Sequence, residues 1–552
     1  MEAVAVVMAS EGVDTVFGIP GATVLPLYAA LRNSGIKHLT VRHEAGGTHA
    51  ADGWARATGK VGVTIGTSGP AATNMITGLH TALADSIPII CITGQAEHAE
   101  PCQEAFPAVD IVEIAKPVTK WAVRLTEPAQ AAWVFREAFR IARSGRPGPV
   151  LIDLSIAVQR GTCLYNRKVD APLPIEVPAP RVQPINAAVQ MLEAAERPII
   201  LAGGGVIGAE ASDELRQLAE YLQVPVQVTL MGKGSFPENH PLFAGMAGLQ
   251  TQARWGNAPF LESDLVLAVG VRFCDRHTGD LQTYRHGRKF VHVDIEPTQI
   301  GKVFEPDLGI VGHAKPTLAA MRDHARRSSP QHAPGVWVER VAHLRATLRR
   351  PDDVDVDVDV VPIKPSRVFR EIDRSFGPDT AFVTAIGLHE IWSGQFQQTF
   401  KPRRHIVCGQ PGRLGWEVPA AIGVKSALPD KQVVAVVGDH SFQFLMEEIA
   451  VAAQHKIPFV IVMVNNAVDL HHGEGGIDHV TLMDAFGCPA RRIEQPGDIA
   501  DALSWATLES EAQQLPVLVE LMVEREVDAA TGTSLNAVDE LEPASELVPL
   551  AD

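Results

Sequence analysis

Cysteine is scarce in this chain: six in 552 residues, Cys91, Cys102, Cys163, Cys274, Cys408 and Cys488, with no C-x-x-C pair. Such scatter argues against a zinc ribbon or a disulfide framework and fits a reducing cytoplasm. Positive charge is short as well. Lys and Arg number 48 against 65 Asp and Glu, for a formal net charge of −17 with no basic run. Nucleic acid and anionic membrane both need a basic face, so neither is expected as a partner, and a small-molecule ligand is. Long apolar runs are missing too, which argues against a membrane span. The first residues enter helix-like sequence from Glu2 to Ser10 without a basic n-region, so no export signal is expected. What remains is ordinary globular composition, 46% hydrophobic and 20% charged, long enough for two to four cores.

Two segments read as linkers. One, from about Tyr165 to Pro184, is rich in proline; the other, Pro351 to Val361, alternates Asp and Val between prolines. The alternation also fits an edge strand with one acidic face, but the flanking prolines favour an exposed connector. They divide the chain into residues 1–160, 185–325 and 362–530, with a tail at 531–552. The outer two pieces share a plan. Val63 to Gly66 reads as a buried strand, followed by T-S-G-P, a small-residue helix, Ile87-Pro88 and the strand I-I-C-I. Val433 to Gly438, D-H-S-F, a helix, Ile457-Pro458 and F-V-I-V-M-V repeat it. The glycine-to-proline spacings, 22 and 20 residues, imply two copies of one strand–helix–strand unit. The middle piece offers R-P-I-I-L-A-G-G-G, V-P-V-Q-V-T-L, D-L-V-L-A-V-G and K-F-V-H-V-D-I, strands ending in residues suited to a crevice at the carboxyl edge of a parallel sheet. The fold class is therefore α/β, with helices on both faces of parallel sheets.

The chemistry concentrates at two strand ends. Gly438-Asp439 follows one strand and Asn465-Asn466 the next, 27 residues separating Asp439 from Asn466. The Asp439 carboxylate, the Asn466 amide oxygen and a backbone carbonyl near Val468 suit an octahedral Mg²⁺ that keeps two positions for diphosphate oxygens.

This G-D-x-x-F…N-N pattern resembles the metal–diphosphate motif of thiamine-diphosphate enzymes. The resemblance covers nearly the whole chain and implies three doubly wound domains: pyrimidine-binding, central FAD-binding and diphosphate-binding. Arg42-His43-Glu44 with D-G-W-A-R-A-T-G at Asp52 to Gly59 is similar to the segment carrying the family's cofactor-activating glutamate. A carboxylate at Glu44 on N1′ of the aminopyrimidine favours the imino tautomer that removes the C2 proton. G-I-P-G-A-T-V-L-P-L-Y and G-T-S-G-P-A-A-T-N-M are similar in style to both acetolactate synthases and glyoxylate carboligase. T-L-M-G-K-G, R-F-C-D-R-H-T-G, H-V-D-I-E-P-T-Q-I-G-K and C-G-Q-P-G-R-L-G-W resemble the carboligase more. By that resemblance Gly387, Leu388, His389, His440 and Ser441 contact the diphosphate. Gly412 lies in the aminopyrimidine turn, and Leu414 wedges the cofactor into a bent shape. FAD, structural rather than redox-active, falls to Gly203, Gly204, Gly205, Thr229, Leu230, Met231, Gly270, Arg272, Asp275, Arg276, Asp294 and Ile295. Because Glu44 and the Asp439/Asn466 pair sit in different domains, the resemblance also implies a homodimer or homotetramer with active sites between subunits.

Three departures matter. The carboligase has an aliphatic residue where this chain has Glu44, which moves weight toward acetolactate-type chemistry. Phe106, the residue implied to face the substrate, is followed by Pro107 instead of glutamine. Only a short stretch containing His471, His472 and Glu474 separates Asn466 from Ile477, where the family has a longer lid that excludes water. A transition-metal site at those residues with His479 is the lesser reading, a solvated glycine-rich shortcut the better one. His49 and His80 read as packed or polar-face histidines, and Cys408 as a small buried hydrophobe. The implied reaction is decarboxylating carboligation of 2-oxoacids: two glyoxylates to tartronate semialdehyde and CO₂, or pyruvate to acetolactate. The rival is a silenced paralogue with a structural or regulatory role.

Overall fold

The computed structural model describes residues 1–96, 109–166, 171–177, 179–249, 254–348, 359–466, 477–524, 531–532, 535 and 538–539. Phe106, Pro107, Val468, His471, His472, Glu474 and most of the Asp/Val run lie outside them.

Three six-stranded sheets follow one another along the chain. The first comprises β1 (Thr15–Gly18), β2 (Lys37–Thr40), β3 (Gly62–Gly66), β4 (Ile89–Gln95), β5 (Trp121–Leu125) and β6 (Val150–Ser155), in the order 2-1-3-4-6-5. The second holds β7 (Pro198–Ala202), β8 (Val226–Val228), β9 (Phe243–Met246), β10 (Leu265–Val269), β11 (Lys289–Asp294) and β12 (Leu308–Val311), in the order 12-11-10-7-8-9. The third holds β13 (Ala381–Ala385), β14 (His405–Cys408), β15 (Val433–Gly438), β16 (Val460–Asn465), β17 (Ala490–Ile493) and β18 (Val517–Met522), in the order 14-13-15-16-18-17. Within these sheets every pair runs parallel. Strands such as V-V-A-V-V-G and I-I-C-I-T-G-Q are buried along their whole length, as helices on both faces of a parallel sheet require.

The first and third sheets thus have one topology, as the repeated strand–helix–strand unit predicts. Each reverses winding between its first and third strands. The middle sheet, renumbered from its own first strand, reads 3-2-1-4-5-6, the doubly wound order that binds dinucleotides where winding reverses.

Helices in equivalent positions join the outer domains. α1 (Glu44–Thr58) lies between β2 and β3, and α2 (Glu417–Ala427) between β14 and β15. They cross closely because glycines remove side chains at the contact: a Cβ at Gly53 would collide with the Ala420 backbone, and one at Gly423 with that of Ala50. Glycine inside a helix costs about 1 kcal/mol each. Burial of Ala50, Trp54, Ala420 and Ile422 in one core shared by the two domains offsets it. Charge locks the same contact. Arg56 pairs with Asp52 at 2.6 Å and Asp85 at 3.0 Å, and donates to the Val407 carbonyl at 2.6 Å.

The linker expected to run to Pro184 ends sooner, because a helix spans Val182–Ala194. Pro184 falls in its first turn, where a missing N–H breaks no helical bond.

Candidate active site

Glu44 opens α1 at the carboxyl edge of the first sheet, near the winding reversal at Gly66. The helix starts there because His43 caps it, Nδ1 accepting from the Ala45 N–H at 3.1 Å. It stops at Gly59, in the left-handed region at φ 75°. The half-buried Glu44 carboxylate accepts from Asn74 Nδ2 at 2.9 Å.

At the matching edge of the third sheet, Gly387 lies just past the end of β13 and Gly438 ends β15, on neighbouring strands. Gly387 adopts φ 147° as it leads into the helix Leu388–Phe396. A Cβ at either glycine would strike the His389 ring, so the ring fills the space between the two turns. His389 Nε2 lies 3.0 Å from Glu417 Oε1, to which Ser441 Oγ donates at 2.8 Å. The Gly415 N–H donates to Ser441 Oγ at 2.9 Å, tying the Gly412–Gly415 turn to the Asp439 turn. Asp439 and Asn466, both 5% exposed, stand at the ends of β15 and β16. Asn465 is committed to Glu520 at 2.8 Å, whereas Asn466 Nδ2 is buried without a partner among the described residues. A carboxylate and a spare amide at adjacent strand ends fit a hard cation with a diphosphate. His440 is exposed, edge-on to Phe444, and Leu414 is half-buried.

The middle domain carries a cavity of about 850 Å³ at its own reversal, between β7 and β10. There the chain segments approach to backbone contact: a Cβ at Gly203 or Gly205 would collide with Gly270, itself at φ 62°. Ten of the twelve residues assigned to FAD line this cavity, namely Gly204, Gly205, Thr229, Leu230, Met231, Gly270, Arg272, Arg276, Asp294 and Ile295. Gly203 sits behind the wall against Gly270, and Asp275 is exposed on the short helix Asp275–Thr278. Asp294, at the end of β11, accepts from the Glu296 N–H at 2.8 Å, and burial raises its pKa.

Family models describe the same partition. The N-terminal TPP binding domain of thiamine pyrophosphate enzymes matches residues 1–114, the central domain 185–321 and the C-terminal TPP binding domain 385–521. The chain belongs to the thiamine pyrophosphate enzymes. It is 46% identical to a glyoxylate carboligase of Escherichia coli O157:H7, over 98% of this chain and 96% of that protein. It is 38% identical to a probable acetolactate synthase large subunit of Methanocaldococcus jannaschii, over 94% and 91%. An acetolactate synthase large subunit of Corynebacterium glutamicum is 37% identical, over 92% and 84%.

In this thiamine pyrophosphate enzyme, the first domain and the linker supply cavity walls that sequence reasoning missed. Asp85, Arg143, Arg146 and Ile175 to Val177 line it, as does Glu390 from the third domain. Asp85 joins all three domains. It pairs with Arg56 and, at 3.4 Å, with Arg272, and accepts the Gly409 and Gln410 N–H groups, both at 3.1 Å. Asp85 directly precedes Ser86 and the Ile87-Pro88 that leads into β4, and nothing local there announces contacts more than 180 residues away. His49 is fully buried in α1, with both ring nitrogens unpartnered among the described residues and burial lowering its pKa to about 3; His80 is exposed. Cys408 is buried, its thiol pKa pushed up by burial. His479 is buried and bonded to Glu520 at 2.8 Å, a structural use. Among the described residues no helix is long and apolar enough to cross a membrane, and no cluster of three or more His, Cys, Asp or Glu is placed to hold a metal.

Proposed function

We propose that this enzyme joins 2-oxoacids with loss of CO₂, as a carboxy-lyase taking two glyoxylates to tartronate semialdehyde. The observation that carries the reading is the pair of equivalent sheet edges, one presenting Glu44 and the other Asp439 with Asn466, in a chain 46% identical to a glyoxylate carboligase. Thiamine diphosphate, when bound, supplies the electron sink for decarboxylation. The chain's own groups do the rest. Asp439 and Asn466 hold Mg²⁺ and, with the amides after Gly387, the diphosphate. Glu44 holds the proton at N1′ of the aminopyrimidine. Leu414 props that ring, and Glu417 fixes the turn beneath it through Ser441.

FAD is assigned to the middle cavity, where glycines let its diphosphate approach, Arg272 and Arg276 balance its charge, and Asp294 meets a ribose hydroxyl. No hydrogen bond among the described residues links Glu44 to the third domain, its side chain being held by Asn74 within its own. A second copy is inferred to complete each site, in a dimer or tetramer, because Glu44 and the Asp439/Asn466 pair belong to different domains. Purified protein supplied with thiamine diphosphate, Mg²⁺ and FAD should release CO₂ and form tartronate semialdehyde from glyoxylate. Turnover of pyruvate alone moves the assignment to acetolactate-type chemistry, which Glu44 favours. Cofactor binding without turnover of either substrate establishes the silenced reading.

A further inference from the structure

One buried acid on the cavity wall serves nothing the proposed reaction uses. Glu390 is the third residue of the helix Leu388–Phe396, 3% exposed, and lines the middle cavity from the third domain's side. No hydrogen bond or ion pair reaches its carboxyl among the described residues, and its Oε1 is buried without a partner. Two other carboxylates act on it, Asp85 and Glu417. Each has partners of its own. Asp85 has Arg56, Arg272 and two backbone N–H groups; Glu417 has His389 and Ser441, both on Oε1. The local cations and donors are therefore spent on its neighbours. The helix N-terminus favours a negative charge on Glu390, but only weakly beside the loss of water around a buried carboxylate. Burial first, then Asp85 and Glu417, raise its pKa well above the ordinary carboxylate value.

We propose that Glu390 stays a neutral carboxylic acid and donates its O–H to a carbonyl oxygen or ring nitrogen of a heteroaromatic ligand in the cavity. Resting on the FAD reading above, this names the flavin ring system, not the diphosphate, as what meets the third domain. A neutral donor suits a ring acceptor, while the arginines of the other walls suit the anionic phosphates. An ionised carboxylate at the same place would repel those phosphates and leave the ring acceptor unpaired.

The test uses the full-length protein stripped of flavin and titrated with FAD by fluorescence quenching, as parent, Glu390→Gln and Glu390→Leu. Glutamine keeps a neutral donor and should bind within about threefold of the parent; leucine keeps the bulk without the donor and should bind about tenfold more weakly. Infrared difference spectra of parent minus Glu390→Gln should show a protonated-carboxyl C=O band before any flavin is added. Equal affinity in Glu390→Leu, or a carboxylate band in place of the acid band, overturns the role of Glu390 while leaving FAD in place. Failure of the parent to bind FAD overturns both. If Glu390→Leu does not fold, the glutamine affinity and the infrared band decide: a loss of affinity as large as tenfold in Glu390→Gln, or no acid band, overturns the proposal.

Discussion

The first and third domains are the same sheet built twice, and the first residue of α1 and of α2 is in both cases a glutamate. Their fates differ. Among the described residues the half-buried Glu44 carboxylate is bonded by Asn74 Nδ2 alone, so it stays available. Glu417, 1% exposed, has its Oε1 taken up within its own domain by His389 and Ser441. One position in a repeated fold thus serves as a reagent in one copy and as a fastener in the other. The strand-end residues decide which. In the third domain the turns after β13 and β15 carry His389 and Ser441, which reach back to the helix; in the first domain the turn after β3 is T-S-G-P, and no side chain from it bonds Glu44.

If that division holds, the largest effect belongs to Glu44→Gln. An amide cannot carry the N1′ proton, so deuterium exchange at C2 of bound thiamine diphosphate, followed by NMR, should slow by about 10²- to 10⁴-fold. Cofactor affinity should change little. Asp439→Ala should do the reverse: Mg²⁺-dependent affinity should fall by about 10²-fold or more in calorimetric titration, since Asn466 alone cannot offset desolvation of the ion. Equal defects in both assays for both variants would break the comparison. Third in size is Glu417→Ala. It strips the buried His389 and Ser441 of their acceptor, at about 1–3 kcal/mol for each group left unsatisfied. Urea unfolding should show that loss in protein without cofactors, and the corresponding change at Glu44 should barely register there.

Much of this arrangement could be read from the residues. The repeated strand–glycine–helix–Ile-Pro pattern carries both outer sheets because buried parallel strands and tight turns are local properties of sequence. Asp439 and Asn466 were legible for the same reason: each directly follows a buried strand. The walls of the middle cavity divide along that line. Asp294 ends a strand, and Gly204, Gly205 and Gly270 follow strands within a few residues, so they could be found. Asp85, Arg146 and Glu390 arrive from other domains, and no periodicity encodes a contact made by domain packing. The equivalence of Glu44 and Glu417 is hard to see in the residues because the stretches that follow them, A-G-G-T-H-A and V-P-A-A-I-G, have little in common beyond small residues, and the likeness appears once α1 and α2 are seen to cross.

The smallest effect concerns what seats α1. Glu448, on the third-domain helix Glu448–His455, accepts the Arg42 N–H at 3.0 Å and the His43 N–H at 2.9 Å, the two amides that precede Glu44. Gly46 leaves room for its carboxyl, which a Cβ there would strike. Burial pushes the Glu448 pKa from 4.5 up to about 7; the two amides and the Arg42 charge pull it down, and neighbouring Glu447 pushes it up. A carboxyl whose pKa is raised by folding binds its proton more tightly in the folded state. Its contribution to stability is therefore complete below about pH 4.5 and lost as pH rises through about 7. Glutamine keeps the acceptor oxygen for both amides and carries no charge. Glu448→Gln should accordingly gain stability relative to the parent between pH 5 and pH 8, by about 1–3 kcal/mol, in urea unfolding without cofactors. A relative loss across that interval would mean that Glu448 works as a charged brace and that Arg42 outweighs burial. No change with pH, together with slower C2 exchange, would make the contact a purely geometric seat for Glu44.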